Sequence, residues 1–250
     1  MSAHPLVVVH PTPEALAHAT AGRLLTAVTD ALAQRGVAHV SLTGGTIGGK
    51  TLEAVAASPA RDAVDWRRVH LWWSDERFLP AGDPERNATQ ARRALLDALD
   101  LDPATVHEPP ASDGPDGDDP DAAAARYAAE LASLAGGAEV PAFDVLLLGM
   151  GPDGHVASLF PHHPGLARDE SSVIGVRQSP KPPPVRLSFT FGALARARQV
   201  WVVASGAEKA GAVARGVAGE DVSTTPAAGV RGTEATLWLV DDAAAADLPR

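Results

Sequence analysis

An acid and a histidine follow a glycine-broken apolar run in the second half of this sequence, and these residues are suited to chemistry. Asp153 and His155 come just after Gly149 and Gly151, and the run Val145–Leu148 precedes them. A short apolar run bounded by turn residues indicates a buried strand. We expect the pair at the C-terminal end of that strand and at the start of a helix, beside amides that can hold an anion. The alternative is a structural turn with a packing histidine, because short glycine patterns often lack function.

A second glycine-rich segment, Thr43–Lys50, offers groups that suit a phosphate. Its glycines expose backbone N–H groups, and Thr43 and Thr46 add hydroxyls. The same stretch has the spacing Gly-x-x-x-x-Gly-Lys-Thr of a nucleoside-triphosphate loop, for which Asp75 would be the magnesium ligand. The spacing alone leaves open either a nucleoside triphosphate or a smaller phosphate ligand.

The composition of the 250 residues narrows the class of protein. With 45% hydrophobic residues the chain can bury a sizeable core, and we expect a single domain over residues 1–250. The formal net charge of −10 argues against a nucleic-acid partner, so an anionic ligand needs a local group of cations. The absence of cysteine excludes disulfides, a thiol nucleophile and cysteine-bound metal. No apolar run approaches the roughly 20 residues of a membrane span, so we expect a cytoplasmic protein with no membrane partner.

Strand-like and helix-like segments alternate along the chain, which is typical of a mainly parallel, helix-flanked α/β sheet. Additional lobe elements are expected after Ser158. The predicted strands are Leu6–Val9, Val37–Leu42, Val69–Trp73, Val145–Leu148, Ser172–Val176, Arg186–Phe191, Gln199–Ala204 and Thr236–Val240. The predicted helices are Pro13–Arg35, the stretch after Lys50 through Ala56, Asn87–Leu99, Ala122–Leu134 and Ala207–Val217.

The segment Glu108–Asp121 is acidic, rich in proline and glycine, and nearly devoid of apolar residues. This composition predicts a solvated, mobile loop. An acidic metal site is the alternative, but carboxylates in so flexible a segment rarely form a rigid cage. The nine histidines show no compact pair at helical spacing joined to a carboxylate, so no metal site is predicted.

Four separated segments together resemble the 6-phosphogluconolactonase family, within the sugar-phosphate isomerase/deaminase-like superfamily. They are Leu42–Thr46, Trp73–Pro80, Gly149–Pro161 and Ser179–Arg186. The resemblance runs from Leu6 to about Val240, and Gly149–Pro161 is its most specific part. It implies a Rossmann-like fold of the glucosamine-6-phosphate deaminase/isomerase kind. It also implies hydrolysis of 6-phosphoglucono-1,5-lactone to 6-phosphogluconate in the oxidative pentose phosphate pathway, with no required cofactor.

Carried over to this sequence, the resemblance implies roles for individual residues. His155 would be the general base that activates water, with Asp153 as an orienting group. Asp75 and Arg77 would bind substrate, with Arg77 contacting substrate oxygens or phosphate; the alternative for Arg77 is a surface ion pair with Asp75 or Glu76. The candidates for holding the phosphate are Thr43, Gly44, Gly45, Thr46, Arg186 and Lys209, and Lys181 would line the rim.

The sequence departs from the family pattern at two places. Thr43 stands where the family commonly has Ser, and Ile47–Gly49 replaces a Pro. A long acidic insertion surrounds Asp113.

Two other functions stay open. A glucosamine-6-phosphate deaminase is one alternative, but its Asn-Glu-Pro after the histidine is replaced here by Ser158–Pro161. A non-catalytic sugar-phosphate-binding regulator is the other. The sequence does not give the oligomeric state.

Overall fold

A six-stranded parallel sheet forms the centre of the molecule, seen in a computed structural model that describes residues 5–249. Its strands are β1 (Leu6–His10), β2 (Ala38–Leu42), β3 (Val69–Trp73), β5 (Val145–Gly149), β8 (Gln199–Ala204) and β9 (Ala235–Asp241), in the order β1-β9-β8-β5-β2-β3. A second, antiparallel sheet of three strands has the order β4-β7-β6, from β4 (Asp75–Arg77), β7 (Arg186–Phe189) and β6 (Val173–Val176). The mainly parallel sheet and the additional lobe elements predicted from sequence are both confirmed.

Helices cover both faces of the parallel sheet. They are α1 (Pro13–Arg35), α2 (Gly45–Ala57), α3 (Asn87–Ala94), α4 (Pro120–Ser133), α5 (Phe191–Leu194) and α6 (Ala210–Ala218). The helices α1, α2 and α3 pack on one face, where Val145 and Leu147 of β5 point. The second sheet, α4 and α6 pack on the other, where Leu146 and Leu148 point. Burial on both faces explains why β5 is apolar throughout rather than alternating.

Several helices and strands begin and end where the sequence predicts, because the residues that set these boundaries lie within or next to the element. Helix α1 has the predicted bounds Pro13–Arg35: the Thr12 hydroxyl accepts from Ala15 N, and Gly36 ends the helix with φ 75°. Strands β3 and β8 also have their predicted bounds. The helix predicted to Leu99 ends at Ala94 instead, because Leu95 leaves the helical region with φ −147°.

Two predictions around the glycine-rich segments are wrong. Residues 43–50 were expected to be a loop, but α2 already begins at Gly45: Gly44 is its N-cap in the extended conformation, and Gly45 has φ 80°, which a glycine adopts without strain. No helix starts at Asp153 and His155. Residues 150–163 form turns, because Gly151 N donates to His155 O and Gly154 has φ 89°.

The acidic segment of residues 108–121 is attached at several points. Arg86 donates from its guanidinium to the carbonyls of Pro109 and Pro110, and Asp113 accepts from Ala81 N at 2.8 Å. Its mobility stays a prediction, as does the organisation of the chain as a single domain. Among the described residues, no helix is long and apolar enough to cross a membrane.

Three stacked histidines lie near the N-terminal ends of β2 and β3. The ring centroids of His39 and His70 are 4.6 Å apart, and those of His70 and His107 are 5.1 Å apart. Trp72 stacks on His107 at 3.8 Å, and His107 Nδ1 is 2.6 Å from Glu130 Oε1 on α4. Burial, followed by the neighbouring histidines His70 and His107, lowers the pKa of His39 to about 4. The cluster is therefore an aromatic stack with a neutral His39 at one end, and it joins α4 to the sheet.

Candidate active site

A cavity of about 510 Å³ opens at the C-terminal edge of the parallel sheet. Six segments line it: the start of α1 at Pro13, the start of α2, strand β4 with Asn87, the turn after β5, the segment Lys181–Arg186, and Ser205–Lys209 after β8. Ligands of open α/β sheets bind at this edge, because loops leaving adjacent strands diverge there. All the predicted site residues except Asp153 line the cavity, and Asp153 contacts the lining residue His155.

His155 and Asp153 form a hydrogen-bonded pair at the turn after β5. The distance from His155 Nδ1 to Asp153 Oδ1 is 2.6 Å. Burial alone would raise the pKa of Asp153, but the hydrogen bond and charge of His155, with Lys181 at 3.6 Å, hold that pKa well below its usual range. An ionised carboxylate only accepts, so Nδ1 carries the proton and Nε2 of the neutral ring is the acceptor. The pair can therefore work as an oriented general base.

The His155–Asp153 pair fits against the backbone at Gly151 because glycine has no side chain. A methyl carbon placed on Gly151 would overlap the imidazole of His155 and the carboxylate of Asp153. On the other side the ring of Phe160 lies 4.6 Å from the imidazole, centroid to centroid, at a tilt of 44°. The histidine ring is thus held between a glycine and an aromatic side chain, which limits its rotation.

The first turn of α2 presents backbone N–H groups to the cavity. Gly44 is the N-cap residue and supplies no side chain to bond them, and Gly45 has φ 80° with open space beside it. A helix N-terminus with free N–H groups attracts anions. The Thr43 hydroxyl is occupied differently: it accepts from Gly149 N at 2.9 Å and so ties this segment to the turn that carries His155.

The nucleoside-triphosphate interpretation of this segment does not fit. Lys50 is well inside α2 and forms an ion pair with Glu14 on α1 at 2.7 Å. The Thr51 hydroxyl is buried and donates to Ile47 O at 2.8 Å, so it cannot face a magnesium ion. Asp75 accepts from Ser158 Oγ at 2.7 Å. Over residues 5–249, no group of three or more His, Asp or Glu side chains is arranged to hold a metal ion.

Arg77 and Lys209 supply positive charge to the cavity. The Arg77 guanidinium donates to Glu85 O at 2.6 Å, and within the described part of the chain it forms no ion pair with Asp75 or Glu76, so that alternative is wrong. Lys209 Nζ donates to Met150 O at 2.5 Å. Burial lowers the pKa of the Lys209 ammonium, against the opposing charge of Glu208.

Arg186 is not a solvated surface charge, since it is only 7% exposed. Its guanidinium donates to the carbonyls of Lys181, Pro182 and Pro183 at 3.0–3.2 Å. Burial lowers the pKa of Arg186, and Asp75 opposes that shift. Arg186 therefore folds the proline-rich segment over the cavity, and a direct contact with phosphate stays a prediction for it and for Lys181.

Three residues of the site have no role assigned from the sequence, and of these only Asn87 was expected to face the site. Ser158 is fully buried and bonds Asp75. Asn87 lines the cavity and donates from Nδ2 to Asp75 O at 2.9 Å. Glu76 is 0% exposed and accepts from Asn87 N at 2.7 Å. The position of Ser158 inside the Gly149–Pro161 block was the one signal that could have found it; the other two depend on contacts between distant segments.

A cationic, amide-lined cavity at the strand ends of a parallel sheet defines an α/β protein built for a small anionic ligand. Residues 11–238 match the sequence profile of glucosamine-6-phosphate isomerases/6-phosphogluconolactonase. The chain is 58% identical to the 6-phosphogluconolactonase of Streptomyces coelicolor, covering 100% of this chain and 97% of the relative. It is 47% identical to the 6-phosphogluconolactonase of Mycobacterium tuberculosis, covering 97% of this chain and 98% of the relative.

Comparison of the fold with solved structures points to the same family as the sequence comparisons. The solved structure of 6-phosphogluconolactonase from Trypanosoma brucei matches with a TM-score of 0.84 and 29% identity, covering 98% of this chain and 99% of that one. The chain belongs to the family of glucosamine-6-phosphate isomerases and 6-phosphogluconolactonases. The resemblance predicted from the four segments is thus confirmed.

Proposed function

We propose that this protein hydrolyses 6-phosphoglucono-1,5-lactone to 6-phosphogluconate, the second step of the oxidative pentose phosphate pathway. The observation that carries the proposal is the 2.6 Å pair of His155 and Asp153, with His155 facing a cavity that also holds the first turn of α2 and several cations. The relatives from Streptomyces coelicolor and Mycobacterium tuberculosis, which bear the name of this activity, support it.

The reaction follows from the geometry of the pair. His155 Nε2 takes a proton from a water molecule as the water oxygen forms a bond to the lactone carbonyl carbon. The tetrahedral intermediate collapses, the bond from that carbon to the ring oxygen breaks, and the imidazolium returns its proton to the leaving oxygen. The products are a carboxylic acid, which ionises, and a free hydroxyl. Asp153 holds the ring in the Nδ1–H tautomer and stabilises the imidazolium that forms between the two steps.

The phosphate would be held by the first turn of α2 and by the cations that line the cavity. The N–H groups of Gly45 and Thr46 at the start of α2 offer one set of donors, with Thr43 fixing that segment in place. Arg77, Lys181, Arg186 and Lys209 offer positive charge in an otherwise acidic protein. We assign Arg77 and Lys209 to direct contact, because each donates to a single backbone carbonyl, whereas Arg186 donates to three.

The deaminase alternative is not favoured. It requires a carboxylate soon after the histidine, and this chain has Ser158–Pro161 at that position, where Ser158 is fully buried against Asp75. A non-catalytic regulator would keep the cavity without the need for an oriented histidine. A cytoplasmic location and the absence of a nucleic-acid partner stay predictions.

The test is acid release from freshly made 6-phosphogluconolactone, corrected for its spontaneous hydrolysis. We expect clear acceleration by the purified protein and its loss in His155→Ala. Ammonia release from glucosamine 6-phosphate is measured in parallel. No acceleration of lactone hydrolysis would overturn the proposal, and ammonia release would establish the deaminase in its place.

A further inference from the structure

Glu76 is a fully buried carboxylate whose two oxygens are both bonded to backbone N–H groups. It lies on β4 between Asp75 and Arg77 and is 0% exposed. Oε1 accepts from Arg77 N and from Asn87 N, each at 2.7 Å, and Oε2 accepts from Ala88 N at 2.8 Å. One side chain therefore joins strand β4 to the first turn of α3, across a loop of nine residues that includes none of these donors.

Two of the three donors belong to residues that line the cavity, Arg77 and Asn87. Asn87 is only 4% exposed, and its side chain lies so close to Gly44 that a Cβ there would overlap its Oδ1. The Asn87 amide also reaches the backbone carbonyl of Asp75 at 2.9 Å. Arg77 leaves the same strand and reaches Glu85 O, just before α3. The placement of Arg77 and Asn87 beside the first turn of α2 thus depends on the junction that Glu76 makes.

The charges around Glu76 come from four sides. Arg86 Nε, at the entry to α3, is 3.8 Å from Oε2, while Asp75 and Arg77 flank it on β4. Arg186 on β7 and Tyr127 on α4 also face it. Burial raises the pKa of Glu76 to about 7, against the lowering effects of Arg86 and of the three N–H donors. Both oxygens accept freely only in the ionised form, because a protonated oxygen must itself donate.

We propose that ionised Glu76 is a positioning residue for ligand binding, which holds Arg77 and Asn87 at the cavity through their backbone N–H groups. This inference rests on the proposed function only in taking an anionic sugar phosphate as the ligand. Protonation of Glu76 removes acceptor capacity at the junction, so the affinity for the ligand falls as the pH falls through about 7.

The first measurement uses the wild-type protein. The backbone amide resonances of Arg77, Asn87 and Ala88 are followed by ¹⁵N–¹H NMR between pH 5.5 and 8.5. We expect the three to shift together with one midpoint near pH 7. Amides that do not titrate, or that follow separate midpoints, would overturn the proposal without reference to any variant.

The second measurement is the affinity for 6-phosphogluconate, the proposed product, in a His155→Asn background that removes the histidine titration. It compares Glu76→Gln with unchanged Glu76. Glutamine is isosteric with glutamate, and its one side-chain oxygen can still accept from Arg77 N and Asn87 N, so the fold should survive. The matched control is Glu85→Gln, a change of the same type at an exposed residue of the adjoining loop.

With Glu76 present, affinity should fall several-fold between pH 8 and pH 6 beyond the change seen in Glu76→Gln, since the ionised fraction of Glu76 falls about tenfold over that range and the protonated form should bind about as well as Glu76→Gln. The titration of the ligand phosphate is common to both proteins and cancels. In the His155-containing enzyme, Glu76→Gln should raise KM for the lactone several-fold and leave kcat nearly unchanged. An identical pH dependence in both proteins would overturn the role of Glu76. A wild-type protein that neither hydrolyses the lactone nor binds the product would instead overturn the proposed function.

Discussion

The substitution Gly151→Ala should separate the His155–Asp153 pair while leaving the backbone undisturbed. Gly151 is not among the residues with positive φ, so alanine fits its conformation. The new methyl carbon would lie 2.2 Å from Nδ1 and Cε1 of His155 and 2.3 Å from Asp153 Oδ1, whereas ordinary contact begins near 3.4 Å. The ring must therefore retreat by about 1.2 Å. A displacement of about 1 Å at a reacting group costs roughly 10²-fold in rate, or about 2.7 kcal/mol of activation free energy.

The assay is the hydrolysis of fresh 6-phosphogluconolactone, with kcat and KM determined separately and the Tm measured on the same preparations. The matched control is Gly22→Ala in the middle of α1, where no atom lies within 4 Å of the new methyl group. We expect the control to keep the parental kcat/KM and to match or exceed the parental Tm, because alanine favours a helix by about 1 kcal/mol over glycine.

Two results would refute this reasoning. A parental kcat in Gly151→Ala would mean that catalysis does not depend on the position of the imidazole. A loss of activity accompanied by a large fall in Tm would mean that the glycine serves the fold, and the lower rate would then follow from unfolding rather than from displacement of the ring.

Four further outcomes are expected. His155→Ala should lower kcat by about 10²–10⁴-fold with an unchanged Tm, and a parental rate would remove His155 as the base. Lys209→Ala should cost roughly ten- to hundredfold in kcat/KM on the phosphorylated lactone and much less on gluconolactone, while equal losses on both would exclude phosphate binding. Activity should survive dialysis against a chelator, and a loss restored by zinc or magnesium would contradict this. Because the pKa of His39 is lowered to about 4, the unfolded chain takes up the proton first as the pH falls below about 6.5. The free energy of unfolding should therefore fall by up to roughly 3 kcal/mol towards pH 4, and urea titrations of His39→Gln should show a flatter dependence.

The sequence predicted features whose causes are local. Helix α1 begins after a threonine cap with Pro13 and ends at Gly36, and these signals lie within the segment itself. The strand that ends at Gly149 was visible for the same reason, because burial on both faces leaves an unbroken apolar run. The pairing of His155 with Asp153 is also local, since the two lie two positions apart along the chain.

Features that depend on distant segments were missed. Strand β4 is only three residues long and exists because it pairs with β7, where Arg77 lies opposite Arg186. The burial of Arg186 follows from the proline-rich segment that folds back onto it, which no pattern in the charges reveals. The start of α2 was read as a loop because glycines indicate flexibility in isolation, whereas here they admit Asn87 and the Gly149 turn at close range.

The order of strands in the parallel sheet has a consequence for how the chain is made. Strand β9 is the last in the sequence, yet it lies between β8 and β1, and β1 has no other strand partner among the described residues. While a ribosome is still adding residues before Ala235, Leu6–His10 has nothing to pair with, and its Val7 and Val8 join the unsatisfied apolar surface of a nascent chain. Strand β1 can therefore join the sheet only after β9 has been synthesised. Synthesis of β9, rather than emergence of α1, is then the step that completes the sheet.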